Sequence, residues 1–197
     1  MIDRFKTSKQ ITPGFVYHDK ATSKFFATAG LPAAWPGAIG DLKAVDSFYE
    51  TLLKTLCREA DLCAHIDWNN FNHVQVSYID VWLYRNDKLS KEKAGLKCTF
   101  SRVLPCFVVT QGENLLYAQT DPSKPLDCDR VDEINSATVD ELWHQIEPVL
   151  LRAGLVRLRR ERLSQTAAIN SKFLNSSPPL NDGPPYKLSD LLFHLII

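Results

Sequence analysis

The chain has 197 residues, 45% hydrophobic and 23% charged, with ten Phe, six Tyr and four Trp. That composition builds one globular domain with a sizeable core and excludes a fibrous or wholly disordered protein. Its 23 basic and 23 acidic side chains cancel, which argues against a protein that tracks nucleic-acid phosphates, because such proteins carry a basic excess.

The opening MIDRFKTSKQ is charged and lacks the apolar run of roughly 7–15 residues that a secretory signal needs. No stretch reaches the ~20 apolar residues of a membrane span. A cytoplasmic protein without a membrane partner is expected. Phe15-Val16-Tyr17 suits a short strand. The segment Thr28–Asp41 is rich in Gly, Pro and Ala and cannot hold a regular element through Pro32 and Pro36. Trp35 within it reads as an aromatic plug on the core.

A helix follows. Asp41 is an available N-cap, and Leu42, Val45, Phe48, Tyr49, Leu52, Leu53, Leu56 and Ala60 recur at helical spacing. On its polar face Glu50 precedes Lys54 by four residues, the favourable order. His65–His73 (HIDWNNFNH) reads as a polar-aromatic loop. A strand comes next: Val74, Val76 and Tyr78 alternate with polar residues, then Ile79, Val81 and Leu83 take the opposite phase. That change of phase implies a bulge or burial on both faces. Asp80, amid these apolar residues, is expected to be ion-paired or solvent-facing, with Arg85 and Arg102 as available partners.

Asn86–Gly95 is a charged, exposed connection. Leu96–Val109 reads as a second long strand, at an edge or bulged because Pro105 lacks a donor. QGEN (Gln111–Asn114) is a turn signal, and Leu115–Gln119 completes a hairpin. The span Val74–Gln119 is thus an antiparallel meander. Asp121–Glu133 is an acidic loop. A second helix spans Thr138–Gly154. Thr138 and Glu141 have capping-box spacing, Leu142, Ile146, Val149 and Leu150 form its buried stripe, Pro148 should kink it, and Gly154 suits its C-cap. Leu155–Leu163 prefers a strand joining or edging the sheet, with continued helix as the alternative. Residues 175–185 read as a flexible Pro-rich segment. Residues 186–197 read as an apolar C-terminal helix capped by Ser189, docked on the core or forming a homodimer contact.

The expected fold is a single α+β domain over residues 1–197. An antiparallel β-meander has two principal helices packed on one face, since each has one apolar stripe to bury.

The chemistry-bearing residues are sparse. Eight Gly form neither G-x-G-x-x-G nor a phosphate loop, and no G-x-S-x-G elbow occurs. Five Cys without a C-x-x-C pair read as free buried thiols in a reducing compartment. His65, Asp67 and His73 are the nearest approach to a metal cluster, but hydrogen bonding by the Asn-rich loop is the stronger reading. Neither metal nor cofactor is expected. The enzyme alternative is a hydrolase pairing Cys57, Cys98, Cys106 or Cys128 with His65 or His73.

The strongest signal is charge segregation. Asp127, Asp129, Asp132 and Glu133 crowd one segment, and Arg157, Arg159, Arg160 and Arg162 another. Arginine's rigid fork suits carboxylates and is enriched at interface hot spots. These eight residues are the expected partner-binding set, as two exposed lobes lying apart. The function they imply is a non-enzymatic protein-binding module. The class in view is the immunity protein, which neutralises a partner toxin in the bacterial cytoplasm.

Overall fold

A computed structural model describes residues 42–68, 75–85, 95–102, 104–112, 126–165, 187–193 and 195–196. Phe15–Tyr17, Trp35, His73, the strand expected at Leu115–Gln119 and the Pro-rich residues 175–185 lie outside them.

Helix α1 (Leu42–Ala60) follows the expected spacing. Val45, Tyr49, Leu53 and Leu56 are buried on one side, and Glu50 pairs with Lys54 at 2.7 Å on the other. Asp61 takes a left-handed conformation, φ 51°, which ends the helix and turns the chain into β1 (Leu62–Asp67). Its last three residues, His65–Asp67, fall where a loop was expected. Leu62, Ala64 and Ile66 face the core, while Cys63, His65 and Asp67 alternate with them.

The change of phase read at Tyr78–Ile79 falls beside a division. β2 (Gln75–Val76) and β3 (Tyr78–Arg85) meet at a bend on Ser77. β3 is buried on both faces through Leu83. The segment read as one long strand is a hairpin, β4 (Gly95–Ser101) and β5 (Cys106–Gly112). Pro105 lies in its turn, where the missing N–H costs no ladder bond.

After a 3₁₀ turn (Cys128–Arg130) comes α2 (Ala137–Arg152). Its N-cap residue is Ser136, whose side chain makes no capping bond. The Thr138–Glu141 box is therefore not used as the cap. Pro148 is accommodated within the helix. At the C-terminus Gly154 has φ 80°, Gly154 N donates to Leu151 O and Leu155 N to Leu150 O. Those two bonds define a Schellman motif, which only a residue tolerant of positive φ can close. The remaining elements are β6 (Val156–Arg157), α3 (Arg160–Leu163), α4 (Leu188–Leu192) and β7 (Leu195–Ile196). The last two replace the single C-terminal helix expected over residues 186–197.

The main sheet has the order β1-β3-β4-β5-β6. Its first four strands are antiparallel neighbours, with Asp67 opposite Asp80, Asp80 opposite Thr99, and Thr99 opposite Val108. β6 runs parallel to β5, through the crossover that α2 supplies. Both long helices bury their stripes on one face, against Ile79, Val81, Leu83, Leu96, Cys98, Phe100, Phe107 and Val109. This is the α+β meander that the sequence pattern implies, with a parallel edge strand added. The Tyr49 hydroxyl donates to Ser101 O at 2.6 Å and pins α1 to the end of β4. A separate two-stranded ladder joins β2 to β7. Among the described residues no helix is long and apolar enough to cross a membrane.

The sheet is tightest at Gly95, where a Cβ would lie 2.8 Å from the Leu83 carbonyl oxygen. Gly95→Ala is expected to destabilise the fold by about 1–3 kcal/mol through overpacking. The fall in urea midpoint measures it.

Candidate protein-interaction surface

The described part of the acidic segment is a 3₁₀ turn and a loop hydrogen-bonded to β5. Asp127 caps the 3₁₀ turn by accepting from Asp129 N at 3.1 Å. Asp132 N donates to Val109 O, and Gln111 N donates to Glu133 O. The Gln111 side-chain oxygen accepts from Asn135 N and Ser136 N, carrying the chain into α2. β6 occupies the same edge of β5: Val156 N donates to Pro105 O and Leu158 N to Phe107 O. The two charged segments therefore lie end to end along one strand.

That arrangement overturns the expectation of two lobes lying apart. The Arg157 guanidinium donates to Asp132 at 2.5 Å and to Glu147 at 2.9 Å, and lies 4.5 Å from the centroid of the Trp143 ring. The Arg157 side chain is only 12% exposed. Arg160 donates its backbone N–H to the Asp132 carboxylate and its guanidinium to Asp129 at 2.8 Å. Segregation along the chain thus becomes pairing in space, because adjacency to β5 brings the segments together. Asp132 accepts both bonds from a left-handed backbone, φ 66°, which Asp tolerates better than most residues.

The pairing sorts the eight residues. Asp132 and Arg157 are partly buried and hold the fold. Asp127, Asp129, Glu133, Arg159, Arg160 and Arg162 stay exposed, with the Arg162 guanidinium donating to Gln165 at 3.2 Å. These six sit on the 3₁₀ turn, the loop after it and the start of α3, which packs on the 3₁₀ turn. The result is one mixed-charge surface. Sequence reasoning missed Glu147 and Trp143 as Arg157's partners. Their separation of four residues on a helix was the available signal.

The groups considered for chemistry are placed elsewhere. Cys98 and Cys106 are fully buried, and that burial pushes both thiols far above their ordinary range. Burial likewise raises Cys57 and Cys128. An activated nucleophile needs the opposite shift. His65 is exposed, its ring 5.9 Å from that of Trp82, and among the described residues no cysteine hydrogen-bonds a histidine. Asp80 is buried in the sheet, accepting from the Thr99 hydroxyl at 2.5 Å and pairing with Lys97 at 3.2 Å rather than with Arg85 or Arg102. Lys97 also lies over the Trp82 ring. Among the described residues no group of three His, Cys, Asp or Glu is arranged to hold a metal ion.

No family model, curated protein or solved structure matches the chain.

Two predictions follow from this geometry. Asp132→Ala removes one of Arg157's two carboxylate partners and leaves Ala in a left-handed backbone, for an expected loss of about 2–3 kcal/mol in urea unfolding. Asp132→Asn should lose about 1 kcal/mol less, since Asn tolerates that backbone. Asp129→Ala, which breaks an exposed pair, should barely move the midpoint.

The second prediction concerns pH. Cys98 and Cys106 stay protonated in the fold, while thiols of the unfolded chain ionise near pH 8.5. Above that pH the unfolded chain binds fewer protons. Stability should therefore be complete below about pH 8.5 and fall as pH rises, by up to about 1.4 kcal/mol per pH unit for each thiol. Urea titrations at stepped pH should show a shallower decline for Cys98→Ala and Cys106→Ala.

Proposed function

We propose that the protein is a non-enzymatic protein-binding module of the immunity type, one that neutralises a partner toxin in the bacterial cytoplasm. The observation that carries this reading is the convergence of Asp127, Asp129, Glu133, Arg159, Arg160 and Arg162, exposed, on adjoining short elements braced by Arg157 and Asp132.

A surface of interleaved signs recognises by pattern rather than by total charge. A partner with the complementary arrangement is accepted, and one with a misplaced like charge is rejected at a cost of several kcal/mol. Internal anchoring helps, because charges already fixed by the fold lose less side-chain entropy on binding. Nucleic acid is a poor fit, since its phosphates would meet Asp127, Asp129 and Glu133 along with the arginines.

Affinity capture from extract of the native host, with the full chain as bait, tests the proposal. Wild-type protein should retain a specific protein partner, weakened by salt. Arg159→Glu combined with Arg162→Glu should reduce its recovery at least tenfold. Capture of no partner, together with hydrolysis of a generic ester or peptide panel, would overturn the reading in favour of the Cys–His enzyme.

A further inference from the structure

The C-terminal segment grips the molecule in two separate places. At its start, Leu188 N donates to Gln165 O at 3.0 Å, just beyond α3. Ser189 is buried, its hydroxyl donating to Asp190 at 3.2 Å, and α4 packs against α3. At its other end the Leu192 carbonyl accepts from the Ser77 and Ser101 hydroxyls, each at 3.1 Å. Phe193 sets its ring edge-on to Tyr78 at 6.3 Å, and β7 pairs with β2. Leu192 and Phe193 are each 1% exposed, so this end of the chain docks on its own core. Those two side chains have no surface to offer a second copy.

We propose that residues 187–193 and 195–196 form a latch that holds the 3₁₀ turn and α3 in place on the sheet, so that opening it loosens the charged surface as a unit. Its regulatory meaning rests on the reading of that surface as the binding site; its mechanics do not. Neither the three-residue turn nor the four-residue α3 can persist by its own backbone bonds. Each depends on neighbours: α4 packs on α3, and α3 on the turn. Among the described residues the latch in turn is held by two hydroxyl donors, a two-residue ladder, two buried apolar side chains, the Leu188–Gln165 backbone bond and its packing on α3. β3 and β4 share a six-residue register. Segments with so few anchors open far more often than a central sheet. A partner, a protease or a modifying enzyme that captures the open latch would reshape the surface without touching it.

Hydrogen exchange read by mass spectrometry on the full chain tests this. In Phe193→Ala, residues 126–133, 158–165 and 187–196 should all exchange faster, by a common factor on the order of 100, with β3 to β5 unchanged. Acceleration confined to 187–196, or spread equally into β3–β5, overturns the proposal. If that variant fails to fold, the wild type in sub-denaturing urea decides. One shared opening for the three segments below global unfolding supports the latch, and separate openings overturn it. No partner is present in this experiment, so failure of the latch and failure of the binding-site reading are distinguishable.

Discussion

The arrangement of this molecule depends on one guanidinium. Arg157 joins the sheet edge, α2 and the acidic segment, since it lies in β6, stacks on Trp143, and donates to Glu147 and Asp132. β6 is only two residues long, too short a ladder to hold its own place. The planar fork of arginine supplies the missing geometry, because two carboxylates and a ring face accept it in one orientation only. Such a cluster is weak evidence for stability in itself, since desolvation offsets much of the attraction. The Arg157 Nε, buried with no partner among the described residues, adds to that cost. What the cluster specifies is where three elements meet.

A second arginine does similar work just beyond β4. Arg102, 2% exposed, donates to both oxygens of Asp46 at 2.7 and 3.0 Å and to the carbonyls of Trp68 and Tyr78. The buried carboxylate of β3 is treated in the same way, with Asp80 satisfied by Thr99 and Lys97. The face of the sheet turned away from the long helices is mixed, with Tyr78, Trp82 and Val108 buried beside the Asp80–Thr99 pair. A buried charge is tolerable only on those terms.

Much of the architecture was legible in the residues. The period of Val45–Leu56, the stripe of α2 and the Gly154 stop each follow from local chemistry. The phase change near Ser77 was legible as a break, although its cause, pairing of β2 with β7 some 120 residues later, is not local. β1 carries the period-2 alternation of a strand, Leu62, Ala64 and Ile66 against Cys63, His65 and Asp67, but the run is short and merges into the polar residues after it, and pairing with β3 is what fixes it. The Leu96–Val109 run concealed a hairpin turn, because apolar residues recur on both sides of Ser101 and Arg102 with only Pro105 to mark the break. The charged surface was half legible. Composition and spacing identified the eight residues, but a charge pattern along the chain carries no distance, and only the adjacency of both segments to β5 turned segregation into pairing.

The Asp46–Arg102 clasp has a consequence for how the chain is made. Its two halves lie 56 residues apart, so at a synthesis rate of roughly 5–20 residues per second α1 leaves the ribosome some 3–11 s before its anchor exists. During that interval Val45, Tyr49, Leu53 and Leu56 have neither a sheet to cover nor a cation to hold them. Docking of α1 is therefore a late, collective event that waits for the β4–β5 turn to emerge.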